Sequence, residues 1–267
     1  MNPPSTAEII LKSAGELAIM RRAGRVAQAA LQAAAAAVHP GATTFEIDQA
    51  AHEVILSRGA KPTFLGYEVP GRPTYRHATC ISVNQEVVHG IPRADHVIQS
   101  GDVVSIDVGA TLDGYVGDCA LTCGAGVLGR RGALLISATR EALYAAIALM
   151  RPGATLYQLS CAIQGTAESY GFGVVRQYVG HGVGRKMHEP PQVPHFADPR
   201  VPEHDLVLVP GMVIAVEPML TEGTWKTREL EDGWTVVTCD RRLASHWEHT
   251  IAITENGHEI LTREGDE

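Results

Sequence analysis

The chain carries an internal duplication, and that feature restricts the fold more than any other. Leu31, Pro40, Gly41, Ala42, Thr43, Ile47 and Gly59 have counterparts 112 residues later in Leu143, Pro152, Gly153, Ala154, Thr155, Leu159 and Gly171. These positions are structural punctuation: a Pro-Gly break, a threonine helix cap, an apolar stripe and a glycine stop. Seven matches at one offset predict two similar halves.

Each half opens with a helix pair. Ser13 with Glu16, and Thr43 with Glu46, spell capping boxes in which each side chain satisfies a free helix N–H. Good helix formers follow Ser13 to about Val38, and His39-Pro40-Gly41 ends the run. Phe45, Ile47, Ala50, Ala51, Val54 and Ile55 then form a helical apolar stripe that Gly59 closes. The second half repeats the pattern through Leu143, the break at 152–155, Leu159, Ile163 and Gly171. A strand follows each pair, Gly101 to Asp107 and Gly211 to Glu217, at an offset of 110, and each is expected to end in its carboxylate. Two half-sites facing each other are implied. No Gly-Ser tract or charge block divides the halves, and 124–132 is the only glycine-rich connector. The expected architecture is α+β, one domain over 13–267 after a short segment 1–12, with helices covering one face of a curved, mainly antiparallel sheet.

Charge and cysteine usage narrow the setting. With 30 acidic against 22 basic residues the net charge is -8, which repels nucleic acid and anionic lipid. The longest apolar run, Ala33 to Val38, is far short of the roughly 20 residues that span a bilayer. The N-terminus lacks the basic start, apolar stretch and cleavage site of a secretory signal. Cys80, Cys119, Cys123, Cys161 and Cys239 show neither CxxC nor zinc spacing, which suggests reduced thiols in the cytoplasm.

The chemistry concentrates in acids. Asp113-Gly114 signals a tight hairpin; a two-residue turn pairs Leu112 with Tyr115 and Asp107 with Ala120. Asp118 then shares a sheet face with Asp107, diagonally across. Two such carboxylates repel unless a cation neutralises them. Glu217 ends the matching strand, and Glu248 opens what reads as the last strand, Trp247 to Thr254, with Ile251 and Ile253 toward the core and Glu248 and Thr250 facing away. His181 sits in Gly180-His181-Gly182-Val183-Gly184, whose glycines admit close backbone approach. Four carboxylates and one imidazole suit Mn(II), Fe(II), Co(II) or Zn(II), and two divalent ions would offset four buried charges. A metal pair activates water and polarises a carbonyl at once, the chemistry of amide or ester hydrolysis. His89 and His188, each in a Gly/Pro-rich turn, are candidates for hydrogen bonds to substrate.

Val83 to Pro92 (VNQEVVHGIP), Ser105 to Ala120 (SIDVGATLDGYVGDCA), Tyr178 to Pro194 (YVGHGVGRKMHEPPQVP), Val213 to Met219 (VIAVEPM) and Trp247 to Thr254 (WEHTIAIT) closely resemble type I methionine aminopeptidases. The resemblance runs in unbroken order from about Ser13 to Leu261. It implies the pita-bread fold, two pseudo-symmetric halves around a dinuclear site holding Co, Mn, Fe, Zn or Ni. By that resemblance Asp107, Asp118, His181, Glu217 and Glu248 match the metal ligands, Asp118 and Glu248 being the bridges and Glu217 also the general base. His89 matches a contact to the scissile amide nitrogen and His188 an oxyanion stabiliser. Tyr67, Tyr75, Cys80, Met187 and Trp234 match the walls of a methionine pocket, a lining suited to a thioether. Gln85, Val88 and Met187 stand where relatives often carry an acid, a cysteine and a phenylalanine.

The implied activity is removal of N-terminal methionine from peptides and nascent chains with a small second residue, by a cytoplasmic monomer without nucleic-acid or membrane partners. Any ribosome contact would use the folded body. Two rivals are a proline-specific peptidase of the same fold, which typically carries an extra N-terminal domain, and a non-catalytic ribosome-associated binding protein, which would be expected to have lost ligands.

Overall fold

Helices begin where the caps predict. In a computed structural model that describes residues 8–263, α1 spans Ala14–Ala36 and α2 Thr44–Ser57. Ser13 and Thr43 each accept the N–H of the third helical residue, while Glu16 and Glu46 reach back to the cap N–H. The first half continues with β1 (Lys61–Pro62), β2 (Thr79–Val83), β3 (Glu86–Val88), β4 (Val103–Leu112) and β5 (Tyr115–Gly124). The segments 1–7 and 264–267 of the expected domain division lie outside the described residues.

The second half repeats the first with α3 (Arg130–Ile147) and α4 (Leu156–Ser169), the latter capped by Thr155 with Gln158 in the role of Glu46. The strands β6 (Gly173–Val174), β7 (Gly180–Gly182), β8 (Glu189–Val193), β9 (Val213–Val216) and β10 (Met219–Thr221) follow. Then come β11 (Thr227–Glu229), β12 (Val236–Thr238), β13 (Ala244–His246), β14 (Glu248–Thr254) and β15 (Gly257–Ile260). The duplication reaches into hydrogen bonding. Gly41 N–H donates to Ile98 and Gly153 N–H to Leu208, and isolated bridges join Thr43 to Val97 and Thr155 to Val207.

An antiparallel sheet in the order β1-β4-β5-β14-β9-β7-β8, with β2 on β4 and β15 on β14, forms the body. Side chains alternate across it. Val104, Ile106, Val108 and Ala110 of β4 pack on Ala27, Leu31, Ile47 and Ile55 of the first helix pair. Ile214, Val216, Ile251 and Ile253 pack on Leu135, Leu143, Leu159 and Ile163 of the second. Asp107 therefore points to the face away from the helices. The halves meet where β5 pairs with β14, Ala120 opposite Glu248 and Cys119 opposite His249.

Three local expectations change. Asp107 does not end its strand, because hairpin pairing carries β4 on to Leu112; Glu217 lies just past the end of β9. Strand β14 begins at Glu248 rather than Trp247, and it is not the last, since β15 folds back on it. Glu248 and Thr250 do face away from the helices, but they are 2% and 0% exposed, so this face is no solvent face. A third apolar cluster, which includes Met20, Val213, Ala252 and Leu261, covers part of it.

Candidate metal centre and active site

Strand register places the acids. Asp113 and Gly114 take positive φ, 50° and 79°, the backbone of a tight hairpin turn. Asp107 pairs with Ala120 and Gly109 with Asp118, so the two aspartates share a face one diagonal apart. Glu248 sits opposite Ala120 on the same face. Thr250 locks Asp118 from across the seam: its hydroxyl accepts the Asp118 N–H at 3.1 Å and donates to the Asp118 carbonyl at 2.8 Å. Val216 pairs with His249, which sets Glu217 beside Glu248. His181 enters on β7 opposite Ala215. A β-carbon on Gly180 would strike the Ala215 carbonyl and one on Gly182 the Pro190 carbonyl, so only glycine lets β7 lie this close to its neighbours.

One ligand atom each from Asp118, His181 and Glu248 lie within 4.8 Å of one another. His181 Nε2 is 3.7 Å from Asp118 Oδ2 and 3.4 Å from Glu217 Oε1, and Asp107 lines the same cavity. The other ring nitrogen of His181, Nδ1, donates to the Gly182 carbonyl at 3.0 Å, which leaves the Nε2 lone pair for a cation. Burial keeps this imidazole neutral, down to about 3.

Burial pushes Asp118, Glu217 and Glu248 well above the carboxylate range, neighbouring carboxylates add to it, and burial brings Asp107 up to about 7. Oδ1 of both aspartates and Oε1 of Glu248 are buried without a hydrogen-bond partner. Arg72, the one cationic side chain lining the cavity among the described residues, is paired with Glu229. Unpartnered oxygens, a free imidazole lone pair and no countercharge are what a divalent-cation site requires.

This has a measurable consequence. A carboxyl whose pKa is raised by folding stabilises the fold at low pH and loses that contribution as pH rises through its folded value. Below about pH 6.5 the buried histidines, held low in the fold, act in the opposite sense. Cation-free protein should therefore lose stability between about pH 6.5 and 8.5. Urea midpoints at the two values check this, with and without Mn(II): the decline should vanish when the ion binds, and a midpoint rising with pH in cation-free protein contradicts the site.

The cluster floors a cavity of about 240 Å³. Tyr67, Tyr75, Cys80, Met187 and Trp234 line it, as do His89 and His188, so all the candidate metal, catalytic and pocket residues named from sequence meet at one cavity. Tyr75 spends its hydroxyl on the carbonyls of Thr79 (2.9 Å) and Gly90 (3.1 Å), and Trp234 its indole N–H on Pro73 (2.7 Å). Their rings, edge to face at 5.2 Å, leave apolar surface for a guest. Burial pushes the Cys80 thiol up and keeps it neutral. His89, at φ 59°, stands edge-on to Tyr178 and Trp234 with Nδ1 buried and unpartnered, and burial brings it down to about 4. His188 lies 4.3 Å from His181 between ring centroids, its Nδ1 2.6 Å from the Tyr67 hydroxyl.

Two histidines escape the sequence reading. His246 Nε2 is 3.8 Å from Glu217 Oε2, and His195 Nε2 accepts the Glu217 N–H at 3.2 Å. For His246 a signal existed, its spacing of two from Glu248. His195 has none in its local sequence.

A two-halved antiparallel body with helices on one face, and acids and an imidazole converging on the other, defines a metallohydrolase. The model of Metallopeptidase family M24 matches residues 18–255, and the chain belongs to this family, whose members bind divalent metal. Relatives include methionine aminopeptidases. Methionine aminopeptidase 1 of Bacillus subtilis is 45% identical over 255 residues, covering 96% of this chain and 99% of the relative. The crystal structure of methionine aminopeptidase from Thermotoga maritima superposes with a TM-score of 0.91 at 45% identity, covering 96% of this chain and all of that one (100%). Prolidase from Pyrococcus furiosus matches with a TM-score of 0.75 at 25% identity, covering 96% of this chain but 66% of the prolidase. The pita-bread expectation holds.

Proposed function

We propose that the protein is a metal-dependent aminopeptidase that removes methionine from the N-terminus of peptides and nascent chains when the second residue is small. The observation that carries it is a cluster of four carboxylates and one imidazole lining the same cavity as an aromatic- and sulfur-rich wall. Asp107, Asp118, His181, Glu217 and Glu248 would hold two divalent ions. Co, Mn, Fe, Zn and Ni all suit the donor set. When bound, the ions supply Lewis acidity and make water a nucleophile near neutral pH.

The chain's own groups do the rest. The methionine side chain rests among Tyr67, Tyr75, Cys80, Met187 and Trp234. Glu217 takes a proton from the attacking water as the water oxygen bonds to the carbonyl carbon, and returns it to the amine as the C–N bond breaks. His89 contacts the scissile nitrogen. With the Tyr67 hydroxyl donating to Nδ1, His188 keeps an Nε2–H to give to the developing oxyanion. The enzyme acts as a cytoplasmic monomer, with any ribosome contact made by the folded body; among the described residues no helix is long and apolar enough to cross a membrane. The 45% identity to a methionine aminopeptidase, against 25% to the prolidase, favours this reading over the proline-specific one.

Peptides beginning Met-Ala, Met-Phe and Ala-Pro, assayed with bound metal measured in parallel, test it. Met-Ala should be cleaved at least about a hundredfold better than Met-Phe, the scale of discrimination that side-chain fit supplies. Preferred cleavage of Ala-Pro, or no turnover by metal-loaded protein, overturns it.

A further inference from the structure

Lys12 and Glu189 form an ion pair inside the protein, Nζ to Oε2 at 2.6 Å, with both side chains 4% exposed. Glu189 follows His188 directly and opens β8 opposite Gly182. Its other oxygen, Oε1, accepts the Lys186 N–H at 3.1 Å. One carboxylate thus closes the loop 183–188 from within, and Lys12 holds that carboxylate from 177 residues away. Lys12 is itself fixed: Nζ donates to the Ile10 carbonyl at 2.8 Å and its N–H to the Gly211 carbonyl at 2.7 Å. Gly184 makes room for the pair, since a β-carbon there would stand 2.6 Å from Lys12 Cε and 2.7 and 2.8 Å from the Glu189 oxygens.

A buried ion pair is a poor source of stability, because desolvation offsets most of the attraction, but it can restrict the chain to an arrangement that satisfies both charges. The loop restricted here carries Met187 and His188, two walls of the cavity, while neither Lys12 nor Glu189 lines that cavity. We propose that the Lys12–Glu189 pair is a positioning device for His188, holding its ring against His181 and the Tyr67 hydroxyl. The inference rests on the role assigned to His188 above. Lys12 lies just ahead of the first helix, in the segment the sequence reading separates from the catalytic domain, yet it acts on the site.

The test is Lys12→Met in the full chain. Bound metal should stay at the wild-type level and KM within about twofold, while kcat falls about ten- to a hundredfold, the scale on which misplacement of a reacting group acts. In a His188→Ala background Lys12→Met should add nothing further, because both changes remove one contribution. Unchanged kcat, or losses that multiply, overturn the proposal. Lys12→Met/Glu189→Gln leaves no unpaired buried charge and should fold should the single variant fail; wild-type kcat in it is equally contrary. Amide hydrogen exchange reads the clamp without turnover: Lys186 should exchange faster in Lys12→Met while α2 and α4 do not change. Unaltered Lys186 exchange overturns the clamp itself. A loosened Lys186 in a protein that cleaves no methionine peptide supports the clamp and removes the proposed function instead.

Discussion

His181→Ala should yield a folded protein that retains no divalent cation and cleaves a Met-Ala peptide at least about a thousandfold more slowly. The Lewis-acid contribution of a bound ion is worth several kcal/mol, and each 1.36 kcal/mol is tenfold in rate. His181 supplies the cluster's neutral donor, its tautomer set by the Gly182 carbonyl and its charge suppressed by burial. Without it, four raised carboxyls, Asp107, Asp118, Glu217 and Glu248, remain, and protonation becomes the easier way to neutralise them. The strand should survive, because β7 is held by β8 and β9 through its backbone. Elemental analysis beside kcat/KM checks both halves of the claim. Wild-type metal content, or activity within tenfold, refutes the assignment.

Acetylating the N-terminus of the same peptide should have a comparable effect, again at least about a thousandfold in kcat/KM. A free α-amine, ordinarily near pKa 8, offers a basic lone pair that a divalent ion at the site would accept, and an amide nitrogen does not. Acetylation removes that basicity and brings a further amide into the same buried cavity. Burying the extra amide without partners costs several kcal/mol, which the rate registers tenfold per 1.36 kcal/mol. Paired assays of free and acetylated Met-Ala-Ser decide it. Equal rates point to a different exopeptidase or an endopeptidase and contradict the assignment.

What sequence disclosed follows the range of the interactions involved. The capping boxes at Ser13 and Thr43 and the Asp113-Gly114 turn are local, and the structure reproduces them together with the Asp107–Asp118 diagonal. The duplication was equally legible, because punctuation residues mark backbone conformations directly: Gly41, Gly59, Gly153 and Gly171 all take positive φ. Contacts between distant segments were not legible. Glu217 meets Glu248 only because β9 pairs with β14, a register no local pattern announces, and resemblance rather than spacing supplied it. His195 reaches the Glu217 backbone from 22 residues away, and Lys12 reaches Glu189 from the other end of the site. The hydrophilic look of Glu248 and Thr250 conceals full burial: Thr250 bonds the Asp118 backbone across the seam, and Glu248 faces the acid cluster.

Calorimetric titration of cation-free protein with Mn(II) at pH 7.5 tests the central claim most directly. Two equivalents bound per chain are predicted, with protons released as the raised carboxyls ionise; no binding, or binding that survives in His181→Ala, contradicts it.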